Sequence, residues 1–148
     1  MIDLNLPKQN IRTKVINSKN YIFDIVRKKN LLLTPEEWVR QNIVHHLIYN
    51  LKYPKSLIKT ESRLKYNKLD KRSDIIVMDR NMKIYLLVEC KSFKLPINKK
   101  FFSQVSVYNK VYKSKYVMIS NGLKHFVCEF DWNKESYVFL DSIPLYKG

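Results

Sequence analysis

Three ionisable side chains stand at the ends of two apolar segments in the middle of the chain. Asp74 begins the segment DIIVM, and Glu89 and Lys91 end the segment IYLLVECK. An unpaired carboxylate on a covered strand would cost several kcal/mol or would take up a proton. Two neighbouring carboxylates can instead bind Mg²⁺ or Mn²⁺ through oxygen, which removes this cost. The simpler alternative is a local ion pair between Glu89 and Lys91, or a strand end that already reaches solvent.

A short turn at residues 79 to 82 predicts that these two segments form an antiparallel hairpin. If residue 79 pairs with residue 83, Asp74 lies opposite residue 88 and next to Glu89. A slip of one residue would reverse the face on which each side chain lies. Strand alternation places Glu89 and Lys91 on one face, together with Tyr85 and Leu87.

The elements that must position these residues follow an α/β pattern. Thr34 is a suitable N-cap and Pro35 fits the first helical position, which predicts a helix from Pro35 to Leu51. Asn121 and Gly122 are typical of a hairpin turn. Residues 11 to 33 indicate a β-hairpin that leads to Leu31 to Leu33. The remaining predictions are strands at 57–66, 73–79, 83–92, 115–120, 124–131 and 137–140 and a helix at 98–113. The order after the hairpin therefore begins αβββαβ, with the last two strands following it.

Composition narrows the class of protein. The chain has 148 residues, of which 45% are hydrophobic, and this favours one compact domain: an N-terminal β-hairpin extension over 1–33 and a main part over 34–148. The formal net charge of +15 favours a polyanionic partner such as nucleic acid, although solvated surface lysines would account for it equally well. With glycine only at Gly122 and Gly148, a glycine-rich phosphate loop is excluded.

Cellular location is predicted from two further features. Cys90 and Cys128 lie inside apolar segments without metal-ligand spacing, as expected of small buried residues in a cytoplasmic protein. The start, MIDLNLPKQN, has no apolar signal region, and no segment is long and apolar enough to span a membrane.

Five ordered blocks carry a resemblance to a known family. Asp74 followed by the ECK tripeptide of residues 89–91 looks like the D…(D/E)xK signature of the PD-(D/E)XK nuclease superfamily. The blocks PEEWVRQ, KRSDIIV, LLVECKS, Gln104 with Tyr108, and ISNG together resemble the N-terminal nuclease domain of type I restriction enzyme R subunits. The resemblance covers about residues 31 to 131. It implies a restriction-endonuclease-like core, a mixed central sheet flanked by helices. The resemblance does not extend to the helicase motor of the family's long members, so ATP-dependent translocation is not expected of these 148 residues.

The resemblance also implies roles for the residues of the hairpin. Asp74 and Glu89 would bind one or two Mg²⁺ or Mn²⁺ ions, with the main-chain carbonyl of Cys90 as a further ligand. Lys91 would orient or activate the attacking water and stabilise charge in the transition state.

The predicted first helix carries two adjacent carboxylates, and only one is expected to point inward. Glu37 stands three residues after Thr34, so a capping box accounts for it. Glu36 shares a helical face with Val39 and Ile43. We therefore expect Glu36 to be an accessory metal or water ligand and Glu37 to be part of the cap.

Further residues are candidates for contact with the catalytic groups or with phosphates. Gln104 and Tyr108 are four residues apart on the predicted second helix and so share a face. By the resemblance this pair lies beside the metal site; packing of the tyrosine on the sheet is the alternative. Lys71, Arg72 and Lys94 flank the site and are candidates for phosphate contacts, or are solvated surface charges.

Three hypotheses about function remain. The first is a divalent-metal-dependent nuclease that hydrolyses DNA phosphodiester bonds. The second is a catalytically silent module of the same fold that binds nucleic acid or docks a partner. The third is a structural protein with a coincidental motif. DNA and a separate motor or specificity subunit are the expected partners, and a homodimer is one arrangement that the sequence allows.

Overall fold

The computed structural model describes residues 1–66 and 69–148, with the side chains of 61–66, 69–73, 105 and 108 outside the description. Within these residues the chain forms two sheets, one of three strands and one of six. Two α-helices and two short helical turns accompany them. The predicted mixed α/β class is therefore confirmed.

The N-terminal residues form a three-stranded antiparallel sheet from β1 (Thr13–Ile16), β2 (Lys19–Asp24) and β3 (Lys29–Leu32). The prediction of a hairpin found the first two strands but missed that residues 29–32 complete a third. The first turn is made by Asn17 and Ser18, both with positive φ. At the second turn the Asp24 carboxylate accepts hydrogen bonds from the amides of Val26 and Arg27. A side-chain cap of this kind is not visible from hydrophobic alternation.

Helix α1 (Pro35–His45) begins where the sequence predicts it, with the Thr34 hydroxyl accepting a hydrogen bond from the Glu37 amide at 3.1 Å. A π-helical turn (His46–Asn50) extends the helix nearly to the predicted end at Leu51. A 3₁₀ turn (Lys55–Leu57) follows. Helix α1 packs against β2 on one side and against the six-stranded sheet on the other. For this reason its polar residues Glu37, Arg40, Gln41 and His45 are buried along with its apolar ones.

The six-stranded sheet has the order β4-β5-β6-β7-β8-β9. Strands β6 and β7 are parallel and are connected through helix α2 (Lys100–Tyr112), whereas each of the other neighbouring pairs is antiparallel. The predicted order of elements is confirmed, with β5 starting at Leu69 rather than at residue 73. The strands are β4 (Ile58–Tyr66), β5 (Leu69–Met78), β6 (Ile84–Cys90), β7 (Tyr116–Ser120), β8 (His125–Asp131) and β9 (Ser136–Leu140).

The two faces of this sheet support two separate cores. On one face Val39 and Ile43 of α1 pack against Ile75, Val88 and Met118. On the other face Phe102 of α2 packs with residues that alternate with these along the strands, among them Ile76, Leu87 and Ile119. Cys90 and Cys128 are buried free cysteines, as predicted.

A β-bulge corrects the predicted register between β5 and β6. Val77 pairs with Leu86 but Met78 pairs with Ile84, so Tyr85 is an extra residue on β6. Tyr85 therefore joins the α1-side core together with Leu86, and the prediction that it shares a face with Leu87 is wrong. Beyond the bulge Ile75 pairs with Val88. One step further along, Asp74 comes level with Glu89 rather than with residue 88.

Candidate carboxylate and lysine site at the sheet edge

The candidate site lies where the neighbouring central strands β6 and β7 of the six-stranded sheet end. We call this end of the strands the sheet edge. Glu89 and Cys90 are the last residues of β6, and Cys90 pairs with Ser120 at the end of β7. Asp74 reaches the same edge from the antiparallel strand β5. The carboxyl ends of parallel strands are a common place for ligand sites, because the backbone diverges there and leaves room.

The side chain of Asp74 replaces a main-chain hydrogen-bond acceptor at the end of β6. Its Oδ2 accepts a hydrogen bond from the main-chain N–H of Cys90 at 2.8 Å. The next amide, that of Lys91, turns to the other neighbouring strand and donates to the Ser120 carbonyl at 2.8 Å. The carboxylate of Asp74 is thereby held at the main chain of Cys90, one residue beyond Glu89, whereas the hairpin prediction placed Asp74 opposite residue 88.

Arg40 of α1 is a member of this site that the sequence analysis missed. Its Nη2 donates to Oδ1 of Asp74 at 3.0 Å, and its Nη1 is paired with the Glu37 carboxylate. The Arg40 side chain is only 4% exposed. Its position three residues after Glu37 and four after Glu36 was the available signal, since residues at these spacings meet on a helix.

The two adjacent carboxylates of α1 take the opposite orientations to those predicted. Glu37 is buried, and its carboxylate binds Arg40 and accepts a hydrogen bond from Gln41 Nε2 at 3.1 Å. Glu36 is 48% exposed and lies 3.5 Å from Arg40 Nη2. The Thr34 cap on the Glu37 amide is present, but the Glu37 side chain points to the interior because α1 is covered on both sides.

Burial and the neighbouring polar groups act in opposite directions on the pKa values of Asp74 and Lys91. Burial raises the pKa of Asp74, and the charge of Glu89 adds to this, while the Cys90 amide and Arg40 act against it without reversing it. For Lys91, burial favours the neutral amine, but the hydrogen bond to Glu89 and the charges of Glu89, Asp74 and Glu36 outweigh it and raise the pKa. Lys91 is therefore an ammonium at neutral pH and is suited to orient a group or to stabilise negative charge.

Glu89 and Lys91 form the local ion pair that was the simpler alternative. Lys91 Nζ lies 3.1 Å from Glu89 Oε1, and both side chains are partly exposed. The ion pair and the proposed metal site do not exclude each other, because an ionised carboxylate has several lone pairs and can bind an ammonium and a metal ion together.

The donor atoms at this edge fit Mg²⁺ better than a softer metal. Among the described residues no three His, Cys, Asp or Glu side chains converge to form a ready-made metal cage. Mg²⁺ does not need one, since it is usually bound by one or two carboxylates and keeps several waters. Asp74 and Glu89 would supply those carboxylates. The buried Cys90 thiol, whose pKa is raised well above its usual value by burial, is not a suitable ligand.

The remaining predicted residues are less closely tied to the site. Gln104 is exposed on α2, two residues from the buried Phe102, and the side chain of Tyr108 lies outside the described residues. The side chains of Lys71 and Arg72, on β5 before Asp74, also lie outside the described residues. Lys94 is exposed, three residues after Lys91. No helix in the described part of the chain has the length and apolar character needed to cross a membrane.

Taken with the fold, this edge defines a mixed α/β domain that presents carboxylates and a lysine where two parallel strands end. The family model described as the type I restriction enzyme R protein N terminus matches residues 35–144. The chain belongs to that family, which confirms the resemblance drawn from the five sequence blocks.

One solved structure supports the same fold. A fragment assigned as the HsdR subunit of a type I restriction enzyme from Vibrio vulnificus YJ016 superposes with a TM-score of 0.51 at 19% sequence identity. The match covers 76% of this chain and 24% of that chain, so the present chain spans about a quarter of its length. No protein with a curated description matches this chain.

Proposed function

We propose that this domain is a nuclease of the PD-(D/E)XK type, with a restriction-endonuclease-like core, that hydrolyses DNA phosphodiester bonds with Mg²⁺ or Mn²⁺. The observation that supports it is the convergence of Asp74, Glu89 and Lys91 at one sheet edge, in a chain that belongs to the R-subunit N-terminal family. A bound Mg²⁺ would supply Lewis-acid stabilisation of the phosphoryl oxygens and lower the pKa of an attacking water.

The residues of the chain have separate tasks in this proposal. Asp74 and Glu89 hold the divalent ion, with the Cys90 main-chain carbonyl as a further ligand. Lys91 remains protonated, orients the attacking water and stabilises the negative charge that develops on the phosphate. Asp74 can be positioned accurately for this task because the Cys90 amide holds one of its oxygens at 2.8 Å.

The charge of the whole chain supports a polyanionic substrate. The formal net charge is +15, so nucleic acid is attracted to the protein even though the proposed site itself is lined with carboxylates. Lys94 is a candidate phosphate contact beside Lys91, and Lys71 and Arg72 are further candidates that precede Asp74 in the chain. Gln104 and Tyr108 are proposed to help orient a phosphate or the carboxylates.

The experiment that tests this function is cleavage of plasmid, linear and branched DNA by the purified protein. We expect nicking that requires Mg²⁺ or Mn²⁺ and is abolished by EDTA. In Lys91→Ala the rate should fall by about two orders of magnitude or more, as is usual when a group that stabilises transition-state charge is removed. Lys134→Ala, which removes an exposed lysine from the β8–β9 turn, is the matched control and should retain most of the activity.

The second candidate, a binding module without turnover, predicts a different result. DNA binding would then be retained by Asp74→Asn and Glu89→Gln, and no cleavage would be seen on any substrate with either metal. That outcome would overturn the nuclease proposal, provided that the protein was folded and was also tested with any type I motor and specificity subunits that co-purify with it.

A further inference from the structure

Arg40 lies in contact with the carboxylate that the proposed function assigns to a divalent ion. Its guanidinium is 3.0 Å from Oδ1 of Asp74, while Oδ2 accepts from the Cys90 amide. Both oxygens of Asp74 are therefore engaged in this structure, one of them with a cation. A divalent ion on the same carboxylate would lie close to the guanidinium and would be repelled by it.

The surroundings of Arg40 offer its guanidinium a second position. Its Nη1 is anchored on the buried Glu37, and the carboxylate of Glu36 lies 3.5 Å from Nη2, which is longer than a good hydrogen bond. A cleft of about 400 Å³ opens beside these groups and is lined in part by Thr34, Glu36, Arg40 and Asp74. A small movement of Nη2 away from Asp74 and into this cleft would shorten its contact with Glu36.

We propose that Arg40 is a positioning residue that holds the Asp74 carboxylate in the metal-free protein. When a divalent ion binds Asp74, the Arg40 guanidinium moves from Asp74 to the carboxylate of Glu36. This inference rests on the proposed function and gives Glu36 a new role, the receiver of the guanidinium rather than a metal ligand. Glu37 keeps Arg40 attached to α1 in both states. The arrangement keeps the partly buried carboxylate of Asp74 paired in both states, which avoids the cost of an uncompensated charge.

The test is Mn²⁺ binding to the full chain, measured by electron paramagnetic resonance of free Mn²⁺ without DNA or turnover. Arg40→Gln removes the competing charge and should lower the Kd for Mn²⁺ by about fivefold or more. Arg40→Lys keeps the charge and should stay within about twofold of the wild type. A residue with only a structural role would weaken binding or leave it unchanged.

The role of Glu36 is tested by a double-mutant cycle. Glu36→Gln should weaken Mn²⁺ binding in the wild-type background, because the guanidinium loses its receiver. In the Arg40→Gln background Glu36→Gln should have no further effect, since there is no longer a guanidinium to receive. An equal loss in both backgrounds would mean that Glu36 is itself a ligand, and would overturn the proposed receiver.

A measurement on the wild-type protein covers the case in which Arg40→Gln fails to fold. The Nε–Hε signal of Arg40 in a ¹H–¹⁵N spectrum, assigned by its loss in Arg40→Lys, should shift during a Mg²⁺ titration and saturate with the same Kd as binding. A signal that stays in place while Mg²⁺ saturates the site would overturn the proposal.

The outcomes separate this proposal from the proposed function. Mn²⁺ binding that is lost in Asp74→Asn and Glu89→Gln but is not tightened in Arg40→Gln would overturn the role of Arg40 alone. An absence of Mn²⁺ binding in every variant would overturn both the metal-dependent nuclease and the role of Arg40.

Discussion

Asp74 shows how one side chain can serve the backbone and a candidate site together. Its Oδ2 completes the hydrogen bonding of the Cys90 amide where β5 no longer supplies a partner, and its Oδ1 faces Arg40. A buried amide left without a partner would cost about 1 to 3 kcal/mol, so an acceptor is needed here whatever the chemistry. An amide oxygen could meet that need, whereas binding of a divalent ion needs the carboxylate.

The substitution Asp74→Asn should therefore separate stability from metal binding. The asparagine Oδ1 can still accept from the Cys90 amide and Arg40 keeps Glu37 as a partner, but the ion pair between Asp74 and Arg40 is lost, so the free energy of unfolding should fall by about 1 to 3 kcal/mol. Mn²⁺ binding should be lost. Urea denaturation and Mn²⁺ titration measure the two quantities.

Asp79→Asn is the matched control at the other end of β5, where the carboxylate caps the turn to β6 by accepting from the amides of Asn81 and Lys83. It removes a carboxylate from the residue that follows β5 and should leave Mn²⁺ binding intact. Retention of full Mn²⁺ affinity by Asp74→Asn would contradict the assignment of Asp74 as a ligand.

In the described part of the chain, helix α1 carries more buried polar residues than any other element. It lies between the N-terminal sheet and the six-stranded sheet, so Glu37, Arg40, Gln41 and His45 are buried on it. The helix brings Arg40 to Asp74 and Glu37 to Arg40, and its start at Thr34 determines where both lie along the sheet edge. The stability of its first turn should therefore affect the site as well as the fold.

Loss of the N-cap should destabilise the protein measurably. In Thr34→Ala the Glu37 amide loses the acceptor that now lies at 3.1 Å, and the free energy of unfolding should fall by about 1 kcal/mol. Thr34→Ser keeps the hydroxyl and should lie within a few tenths of a kcal/mol of the wild type. Urea denaturation of both variants checks this, and equal losses would show that the methyl group rather than the hydroxyl stabilises the helix start.

His45 should make the stability of the fold sensitive to mild acid. Burial lowers the pKa of His45, and the nearby Asp24 opposes this only in part. Because the unfolded chain then takes up the proton more readily, stability is fully present above pH of about 6.5 and is lost as the pH falls below it. His125 is shifted in the same direction by its burial and adds to the effect.

The measurement is the free energy of unfolding at several values between pH 5 and pH 8, a range in which Asp24 stays ionised because its pKa is lowered. Burial acts on Asp24 in the opposite sense, but the hydrogen bonds from Arg27, Thr60 and Val26 prevail. His45→Gln should reduce the pH dependence. His46→Gln, which removes the partly exposed neighbouring imidazole, is the matched control. A wild-type curve that is flat over this range would contradict the prediction.

The whole molecule combines an acidic candidate site with a strongly basic chain. The site edge is formed by the ends of β6 and β7, and the β8–β9 turn lies at the opposite end of the sheet because β8 runs antiparallel to β7. Lysines occur at both ends, among them Lys94 after the site and Lys134 in the far turn. This separation allows general attraction of DNA to be distinguished from contact at the site.

DNA binding should weaken steeply with salt. Each phosphate neutralised by a lysine or arginine contributes about −0.9 to the slope of log K against log salt concentration. In Lys94→Gln the slope should become shallower by about 1, as expected for the loss of one phosphate contact. Lys134→Gln changes the net charge equally at the other end of the sheet and should leave the slope unchanged. Fluorescence anisotropy with a labelled duplex from 50 to 300 mM salt, about a sixfold range, measures both, and a flat salt response would contradict binding through charge.

Much of the fold could be predicted because its signals are local. Thr34 and Pro35 mark the start of α1, the apolar segments mark β5 and β6, and Asn121 with Gly122 marks the β7–β8 turn, where Gly122 has a φ of +84°. The third N-terminal strand was missed because its turn depends on hydrogen bonds to the Asp24 side chain. The facing of Tyr85 was wrong because one bulge residue changes the alternation.

The sequence alone indicated the residue types of the candidate site. Carboxylates and a lysine at the ends of apolar strands would cost free energy if they were buried without partners, so their presence there needs an explanation. Only the tertiary structure shows which other side chains contact these carboxylates and the lysine. Arg40 and Glu37 became part of the site because a second sheet covers α1 and turns its polar side inward, while Glu36 is left half exposed. Helical periodicity shows which residues share a face, but how many of the faces are covered depends on segments far apart in the chain.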